Sequence, residues 1–385
     1  MSVTSQIDVV CQGPPREMGY AQGQAARPRI GEAKRMLQRL EAFRLHQPWW
    51  LPFAAFRRLA ERKAADALLD SLTDHDPAML DRIHGLAEGS RQSLQTVCLF
   101  NAMESLMSSV QENTVTPGMC ACSALGVRGA RSATGEPILA RNFDYLRLVQ
   151  PFYFLRESRP AGGFRALEFT TAPMAGTVDG INEHGLAITF NYAFVKDTPQ
   201  SAVPISMGIT AALATCRTAG EAAEQIARRP RWGAGILMLA DAEGDLVSLE
   251  LSNTRHAIRR PHNGDDAIFH TNVFRSPEMR EVEVSPEAIF GKNAPTALRG
   301  VRVLESAEAR WGRFEHLLDE GKKFGPDELT DLMSDHGADG ADHRTLCMHS
   351  EYWNTTACLQ FLPRQRKMRV SYSSACDAKY TDFAL

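Results

Sequence analysis

The spacing of apolar residues changes from a helical to a strand-like pattern at about Thr114, and this change constrains the fold more than any other feature. Before it, apolar residues recur at spacings of three and four, as in Pro28 to Arg44, which predicts amphipathic helices. After it, short strand-like runs are bounded by Gly and Pro, for example Ser123 to Val127 and Pro137 to Asn142. We therefore expect a helical segment followed by a layered domain of the α+β class.

Two longer helices are predicted within the strand-rich part, at Ile205 to Arg228 and at Val301 to Asp319. The strands predicted around them are Phe164 to Phe169, Ala175 to Ile181, Gly185 to Tyr192, Gly235 to Ala240, Leu246 to Ser252, His256 to Arg260, Thr355 to Leu362 and Lys367 to Tyr372. Strands grouped around a few helices favour sheets that are covered by helices.

The composition argues against several classes of partner. The 385-residue chain carries 43 basic and 46 acidic side chains, so it has no electrostatic footprint for nucleic acid or for an anionic membrane. Its longest wholly apolar run, Ile236 to Ala240, is far shorter than the roughly 20 residues of a spanning helix. Met1 to Cys11 has no basic and apolar signal region. We expect a cytoplasmic protein that binds neither nucleic acid nor membrane.

The sequence lacks the motifs of common cofactor and metal enzymes. It has no dinucleotide-binding or phosphate-binding Gly-rich loop, no G-x-S-x-G elbow, no C-x-x-C pair and no H-E-x-x-H. We therefore expect no cofactor. One C-terminal stretch could suggest a metal site, but it is Gly-rich and loop-like, so a solvated loop is favoured and no metal is expected. Its residues are Asp335, His336, Asp339, Asp342 and His343, with Cys347 and His349 nearby.

The segment from Cys120 to Asp144 carries the chemistry. It reads C-A-C-S-A-L-G-V, a short loop, and then I-L-A-R-N-F-D. A cysteine that opens a strand, followed by a strand that ends in R-N-x-D, resembles the start of an N-terminal-nucleophile hydrolase domain. The closest resemblance is to the autoproteolytic acyltransferase and hydrolase family that includes isopenicillin-N acyltransferase, with choloylglycine hydrolases and acid ceramidase as more distant relatives.

The resemblance extends along nearly the whole chain in a fixed order. Segments that match the family pattern include Gly13 to Gly23, Gly85 to Gly89, Leu99 to Glu104, Gly180 to Ala187, Thr271 to Met279, Ser306 to Arg313, Asp335-His336 and Thr355 to Met368. The resemblance implies a four-layer αββα sandwich. It also implies self-cleavage into a helical pro-segment, residues 1–121, and a catalytic chain, residues 122–385, that stay together as a heterodimer of the two cleavage products.

Elementary chemistry explains why such a family cleaves itself before a cysteine. The thiolate is the nucleophile, yet a free cysteine with a pKa of about 8.5 is only a few per cent ionised at neutral pH. An N-terminal cysteine supplies its own base, because the α-amine has a pKa of about 7.7–8.0. Cleavage of the bond before the cysteine therefore creates nucleophile and base in one residue.

The resemblance assigns roles to six residues. Cys122 is the expected nucleophile and new N-terminus. Arg141 and Asp144 flank it on the next strand, where Asp144 orients the amine and Arg141 pairs with Asp144 or contacts the substrate. The remaining three are Asn191 and Asn272, which are expected to donate to the oxyanion together with backbone N–H groups, and Arg310. Arg310 is expected either to lie behind the residues that contact the substrate or to hold the carboxylate of the site.

Three alternatives remain open at this stage. Many relatives cleave after Gly, whereas Ala121 precedes Cys122, so Cys120 could be the start of the catalytic chain instead. A thiol hydrolase that is not cleaved would use a Cys–His pair. Its base would be His184, His270 or His336. A binding protein without activity could use the same fold.

The expected substrate is a small molecule with a linear acyl amide, or an acyl thioester carried by coenzyme A or by an acyl carrier protein, with an amine as a possible acceptor. Leu146 to Arg159 and Ala193 to Val203 are interpreted as loops that line the pocket. The aromatic residues Tyr145, Phe152, Tyr153 and Phe154 predict an apolar wall suited to a fatty or aromatic acyl group.

Overall fold

The computed structural model describes residues 6–108, 120–198, 202–262, 265–318 and 321–385. The helices are α1 (Pro15–Met36), α2 (Glu41–Arg44), α3 (Phe53–His75), α4 (Pro77–Ser90), α5 (Leu94–Ser108), α6 (Ile205–Thr215), α7 (Ala219–Arg228), α8 (Pro277–Arg280), α9 (Glu305–Leu317) and α10 (Pro326–Met333). The predicted boundary between the helical and the strand-rich parts, at Thr114, lies outside the described residues. The predicted helix end at Asp319 also lies outside them.

The strands follow the same chain order. They are β1 (Val9–Gly13), β2 (Cys120–Val127), β3 (Ile138–Tyr145), β4 (Tyr153–Pro160), β5 (Ala166–Thr171), β6 (Asp179–Asn182), β7 (Ala187–Tyr192), β8 (Val203–Pro204), β9 (Arg231–Trp232), β10 (Gly235–Ala240), β11 (Leu246–Leu251), β12 (His256–Arg259), β13 (Ala267–His270), β14 (Asn354–Leu362), β15 (Lys367–Ser371) and β16 (Thr381–Ala384). Every predicted strand listed above overlaps one of these, although several bounds differ.

Two large sheets form the centre of the molecule. The first has the order β1-β4-β5-β6-β7-β10-β11-β12 and the second the order β13-β2-β3-β14-β15-β16. Side chains alternate between two buried faces: on β2, Ala124 belongs to the core between the sheets, whereas Leu125 belongs to a separate core beneath α9 and α10. Because both faces are buried, the strands are apolar along most of their length.

Helices cover the outer face of each sheet. Helix α6 packs on β6 and β7 and helix α7 packs on β10 and β11 of the first sheet, while Phe314 of α9 and Leu329 of α10 lie in a buried cluster with Leu125 of the second. The order of layers is therefore helix, sheet, sheet, helix. The αββα sandwich that the family resemblance implies is confirmed.

Helices α1 and α4 pack with their backbones in contact, and glycine makes this possible. A Cβ atom placed on Gly19 would lie 2.0 Å from the Arg82 carbonyl oxygen, and one on Gly85 would lie 1.9 Å from the Arg16 carbonyl oxygen. Gly23 and Gly89, one turn further along, are equally confined. The two G-x-x-x-G patterns therefore record a helix crossing that no larger residue allows.

The segment before Cys122 contains a strand that sequence analysis did not predict. Strand β1 pairs in parallel with β4, from Val9 opposite Arg156 to Gly13 opposite Pro160, and forms the edge of the first sheet. Nearby, Gln22 of α1 accepts a hydrogen bond of 2.7 Å from the buried Arg156 guanidinium. The predicted pro-segment is thus helical with one added strand, and it is built into the sheet.

Two other expectations were wrong. Residues Leu146 to Arg159 are not simply a loop, because β4 occupies their second half as an inner strand of the first sheet. The single helix predicted from Ile205 to Arg228 is two helices. The break falls at Thr218, whose side chain accepts a hydrogen bond from the Glu221 N–H while the Glu221 carboxylate accepts from the Thr218 N–H. This capping box starts a new helix and ends the old one.

Candidate active site

Cys122 lies in β2, directly opposite Phe143 of β3, and Ala124 lies opposite Arg141. Residues that are opposite each other in an antiparallel pair project to the same face, so Cys122 and Arg141 share the face between the two sheets. The Cys122 side chain is completely buried in the uncleaved chain. The backbone of Cys120 also lies in β2, but its side chain is outside the described residues.

Arg141 links the thiol to the first sheet. Its Nη2 atom donates to the Sγ atom of Cys122 at 3.1 Å and to the Phe190 carbonyl oxygen, and its Nη1 atom pairs with the Asp179 carboxylate. All of these groups are buried, so the ion pair is shielded from water. The partner of Arg141 is therefore Asp179 and not Asp144, the partner considered from the sequence. Burial raises the pKa of Asp179 to about 6, against the opposing effect of Arg141.

Asn272 and Arg310 hold the backbone of Cys122. The Cys122 N–H donates to Asn272 Oδ1 at 2.8 Å, and Arg310 Nη2 donates to the same oxygen at 2.8 Å. Arg310 Nη1 donates to the Cys122 carbonyl oxygen and, at 2.9 Å, to Ser123 Oγ. The Asn272 amide donates in turn to the Tyr192 carbonyl oxygen at 2.7 Å. The Cys122 N–H is therefore linked through Asn272 to Tyr192 of the first sheet, so both sheets help to fix the peptide bond that precedes Cys122.

Asp144 lies opposite Ala121, the residue before Cys122. Its Oδ1 atom accepts a hydrogen bond from the Thr355 hydroxyl, while its Oδ2 atom is buried without a hydrogen-bond partner. Burial raises the pKa of Asp144 to about 8, although the positive charge of Arg310 opposes the shift. The carboxylate form of Asp144 needs a hydrogen-bond donor at Oδ2, and none of the described residues of the uncleaved chain supplies one.

Asn191 lies in β7, on the opposite sheet from Cys122. Its side-chain amide donates to the Thr271 carbonyl oxygen at 3.2 Å, next to Asn272. Its Oδ1 atom is buried, and no residue in the described part of the chain donates to it. A buried amide oxygen without a hydrogen bond lowers the stability of the fold. Groups that lower stability in this way are common at functional sites.

The three candidate histidines lie in different places. His270 of β13 is opposite Ala124 of β2, so it lies in the same sheet as Cys122, and its Nδ1 atom is 3.1 Å from Ser248 Oγ. Burial lowers its pKa well below the ordinary value, so it is neutral at pH 7. His184 packs against Phe164 and Arg217, and His336 packs against His349. Only His270 of these three lies within two positions of the thiol along the strand register.

An apolar cavity adjoins Arg141. One wall comes from the segment before Cys122 and includes Ala33, Met36, Phe100 and Met103, while the other comes from the sheets. Tyr145 and Phe152 line it as the sequence predicted, but Tyr153 and Phe154 do not. The lining residues from the sheets and their loops also include Phe143, Val149, Val178 and Phe190. The apolar cavity is therefore lined at one point by Arg141, which also contacts the Cys122 thiol.

Two residues of this site were missed from the sequence. Asp179 was overlooked within the apolar run Ala175 to Ile181, where a single acidic residue is a signal of a buried ion pair. Thr355 was noted only as part of a family-like segment, and its contact with Asp144 depends on the pairing of β14 with β3. Both are partners of predicted residues and not new centres of chemistry.

Two acidic residues and one histidine of this C-terminal stretch have partners of their own. Asp335 pairs with Arg313, Asp342 pairs with Arg344, and His343 lies 3.4 Å from Glu305. These residues are therefore unavailable as a shared ligand set. His336, Cys347 and His349 lie elsewhere and are described below.

Comparison with known proteins gives a family and weak structural likenesses. A family model described as acyl-coenzyme A:6-aminopenicillanic acid acyl-transferase matches residues 131–375, well over half of the chain. No curated protein matches the sequence significantly. Among the described residues, no helix is both long and apolar enough to cross a membrane.

Three solved structures resemble the fold at low identity. The N-acylethanolamine-hydrolyzing acid amidase ortholog of Caenorhabditis elegans is 12% identical, with a TM-score of 0.43 over 63% of this chain and 93% of that chain. A variant of the conjugated bile acid hydrolase of Clostridium perfringens is 11% identical, with a TM-score of 0.38 over 69% and 97%. The penicillin V acylase of Agrobacterium tumefaciens is 11% identical, with a TM-score of 0.40 over 69% and 86%. Likenesses this distant carry no inference about what this chain acts on.

Proposed function

The chain belongs to the acyl-coenzyme A:6-aminopenicillanic acid acyl-transferase family, and on that premise we propose that it is an autoproteolytically activated cysteine amidohydrolase or N-acyltransferase. It is an enzyme that acts on the C–N bonds of acyl amides. The proposal adds that Cys122 is the nucleophile and becomes the N-terminus of the active chain. The observation that carries it is the contact of the Cys122 thiol with Arg141, together with the contact of its N–H with Asn272.

The first step is cleavage of the bond between Ala121 and Cys122. The thiolate attacks the Ala121 carbonyl carbon, a C–S bond forms, the C–N bond breaks, and the proton of the thiol passes to the nitrogen. Water then hydrolyses the thioester and releases the Ala121 carboxyl group. The guanidinium of Arg141 beside the sulfur favours the thiolate, which is the reactive form. Asn272 Oδ1, already 2.8 Å from the Cys122 nitrogen, accepts from the new amine.

The state of Asp144 supports cleavage at this bond. In the uncleaved chain, its Oδ2 atom is buried with no donor among the residues described, and burial raises its pKa to about 8. The new α-ammonium group at Cys122 forms beside it and supplies both a positive charge and hydrogen-bond donors. Cleavage therefore stabilises the buried Asp144 carboxylate. Asp144 then positions the α-amine that acts as the base.

Turnover repeats this chemistry on an external amide. The Cys122 thiolate attacks the acyl carbon, the α-amine gives its proton to the leaving amine, and an acyl thioester remains on the enzyme. Water then takes the acyl group in a hydrolase, or a second amine takes it in a transferase. An acyl thioester of coenzyme A or of an acyl carrier protein can load the same intermediate. Asn191 and Asn272 are proposed to donate to the oxyanion, where one donor contributes about 2.7–4 kcal/mol.

The cavity indicates an apolar acyl group. Apart from Arg141 and Thr171, its described lining is apolar or aromatic, and Arg141 connects it to the thiol. A third of its lining residues precede Cys122, so an active enzyme needs both cleavage products. We therefore expect fatty or aromatic acyl amides to be better substrates than short ones.

A chain-length series tests this function. N-acyl amino acids with acyl chains from acetyl to palmitoyl are compared as substrates of the wild type and of Ala33→Phe, which narrows the cavity from the α1 side. We expect wild-type kcat/KM to rise with chain length, and the variant to lose at least about tenfold on long chains while acetyl substrates change little. Ala25→Phe is the matched control, because Ala25 is exposed on the same helix.

Two outcomes would contradict the proposal. Absence of turnover with every member of the series, together with no acyl adduct on Cys122 by mass spectrometry, would remove the enzymatic assignment to this thiol. Equal losses in Ala33→Phe and Ala25→Phe would remove the cavity as the acyl site.

A further inference from the structure

Four side chains outside the active site meet at one point near the C-terminus. One potential ligand atom from each of His336, Cys347, His349 and Cys376 lies within 4.8 Å of all the others. They come from three separate segments: the stretch just after α10, the stretch before β14 and the short turn after β15. Two thiols and two imidazoles are the donor set that tetrahedral zinc prefers in structural sites.

The distances agree with such a centre. His349 Nε2 lies 3.4 Å from Cys347 Sγ and 3.5 Å from Cys376 Sγ. In a tetrahedron with Zn–S near 2.3 Å and Zn–N near 2.0–2.1 Å, neighbouring sulfur and nitrogen ligands are about 3.6 Å apart. Two of the edges are therefore already close to the required length, and the longest separation of 4.8 Å needs to shrink by only about 1 Å.

Hydrogen bonding within the protein accounts poorly for the cluster. A neutral imidazole nitrogen either donates one proton or accepts one, so His349 Nε2 cannot satisfy two thiols in the same way. The Nε2 atom of His336 is buried, and none of the described residues forms a hydrogen bond with it. Cys347 is fully buried, whereas Cys376 is exposed, which gives an ion a way in from the surface.

The surrounding backbone holds the ligands in place. The Cys347 N–H donates to the Asp335 carbonyl oxygen at 3.1 Å. Asn142 of β3 donates to the carbonyl oxygens of Met333 and Leu346, each at 2.8 Å, and so fixes the segments that carry His336 and Cys347. The stretch is therefore anchored and is not the freely solvated loop that its glycines suggested.

We propose that His336, Cys347, His349 and Cys376 bind one zinc ion as a Cys₂His₂ structural site. The ion closes the three segments over the outer face of the second sheet. Met348, between two of the ligands, bonds Thr355 through both its N–H and its carbonyl oxygen, and Thr355 donates to Asp144. The proposed site therefore also steadies the partner of an active-site carboxyl group.

Metal content tests the proposal. The full chain is expressed in zinc-supplemented medium and purified without chelator, and zinc is counted by mass spectrometry of the dissolved elements. We expect about one zinc per chain in the wild type. The zinc should be lost in Cys376→Ser and in His349→Ala, and retained in Cys376→His, which keeps a ligand atom at the exposed position. Cys216→Ser, at a buried thiol at the end of α6, is the control that should keep its zinc.

Cobalt gives an independent measurement that does not depend on activity. Metal-free protein titrated with Co²⁺ should develop the absorption of thiolate-bound tetrahedral cobalt with an end point near one equivalent, and Cys376→Ser should not. Zinc-free wild type that also gives no such absorption would overturn the proposal, as would equal zinc in all variants. A Cys347–Cys376 disulfide in freshly purified protein, seen as a loss of two hydrogens in the intact mass, would overturn it too.

Discussion

The Nη2 atom of Arg141 lies 3.1 Å from the Sγ atom of Cys122, while the other arm of the same guanidinium pairs with Asp179. The cation therefore reaches the thiol from a fixed position, because its second arm is held by a buried carboxylate of the other sheet. A charge fixed in this way favours the thiolate without having to move when the thiol ionises.

Arg141→Lys should slow self-cleavage by about 10- to 100-fold, since one charge-assisted hydrogen bond contributes about 1.5–3 kcal/mol and lysine cannot reach both partners. The measurement is a time course of processing after cell-free synthesis. Arg228→Lys, in an exposed pair with Glu224, is the control and should process at the wild-type rate. Wild-type processing of Arg141→Lys would show that the guanidinium does not act on the thiol.

Asn191→Leu should separate catalysis from stability. Leucine removes an Oδ1 atom that no described residue hydrogen-bonds, but also the 3.2 Å hydrogen bond to the Thr271 carbonyl oxygen. The free energy of unfolding should therefore fall by no more than about 1.5 kcal/mol. If Asn191 donates to the oxyanion, kcat should fall by about 10²- to 10³-fold with little change in KM.

Asn182→Leu is the control for that prediction. Asn182 is equally buried, but its amide donates to the carbonyls of Leu213 and Cys216, and its Oδ1 atom accepts from two backbone N–H groups. Its loss should lower the free energy of unfolding by at least about 3 kcal/mol. The same loss in both variants, measured by urea unfolding, would mean that Asn191 has a structural role only.

Gly85→Ala should destabilise the chain, because the new Cβ would meet the Arg16 carbonyl oxygen at 1.9 Å and force α1 and α4 apart. We expect a loss of about 1–3 kcal/mol or more in thermal unfolding. Gly31→Ala lies in the same helix pair, and its Cβ would meet only the end of Arg35 at 3.9 Å. That variant should gain about 0.5–1 kcal/mol, and a loss there would show that α1 tolerates no added side chain at all.

Glu283→Gln should flatten the dependence of stability on pH. Burial raises the pKa of Glu283 to about 8, even though the carboxylate accepts the Phe274 N–H at 2.7 Å. The unfolded chain loses this proton near the ordinary value of 4.5. The folded state therefore binds the extra proton between these values, so stability is greatest below the lower pKa and falls as pH rises to about 8.

The variant is compared with its parent in a Cys122→Ala background, which keeps the chain uncleaved. The parent should lose stability between about pH 5 and about pH 8, and Glu283→Gln should lose less, because glutamine does not ionise. Asp144 and Asp179, whose pKa values are also raised, contribute equally to both proteins. Parallel pH profiles would contradict the assignment of a protonated Glu283.

Local patterns were enough to predict the hairpin of β2 and β3, because its apolar alternation and its Gly-bounded turn lie within one short stretch. The start of α7 also has a local signal, the capping box of Thr218 and Glu221. It was missed because the apolar residues on both sides favour one continuous helix. The order of helices and strands predicted only an α+β layered fold, and the four layers came from the family resemblance.

Relationships between distant segments could not be predicted. Asp179 meets Arg141 only because the two sheets pack face to face, and β1 joins β4 across more than a hundred residues of intervening chain. Cys376 reaches His349 only after the hairpin of β14 and β15 brings the chain back. Neither periodicity nor spacing contains such information, because it depends on which faces pack together.

N-terminal sequencing of the purified protein, with its intact mass, tests the central claim most directly. The wild type should give a second N-terminus that begins Cys122-Ser123-Ala124, and Cys122→Ala should remain one chain of 42.6 kDa. His270→Gln should still be cleaved, whereas a Cys–His hydrolase would stay whole in every form and would depend on that histidine. A wild-type chain that remains intact, or a new N-terminus at Cys120, would contradict the assignment of Cys122 as the self-generated nucleophile.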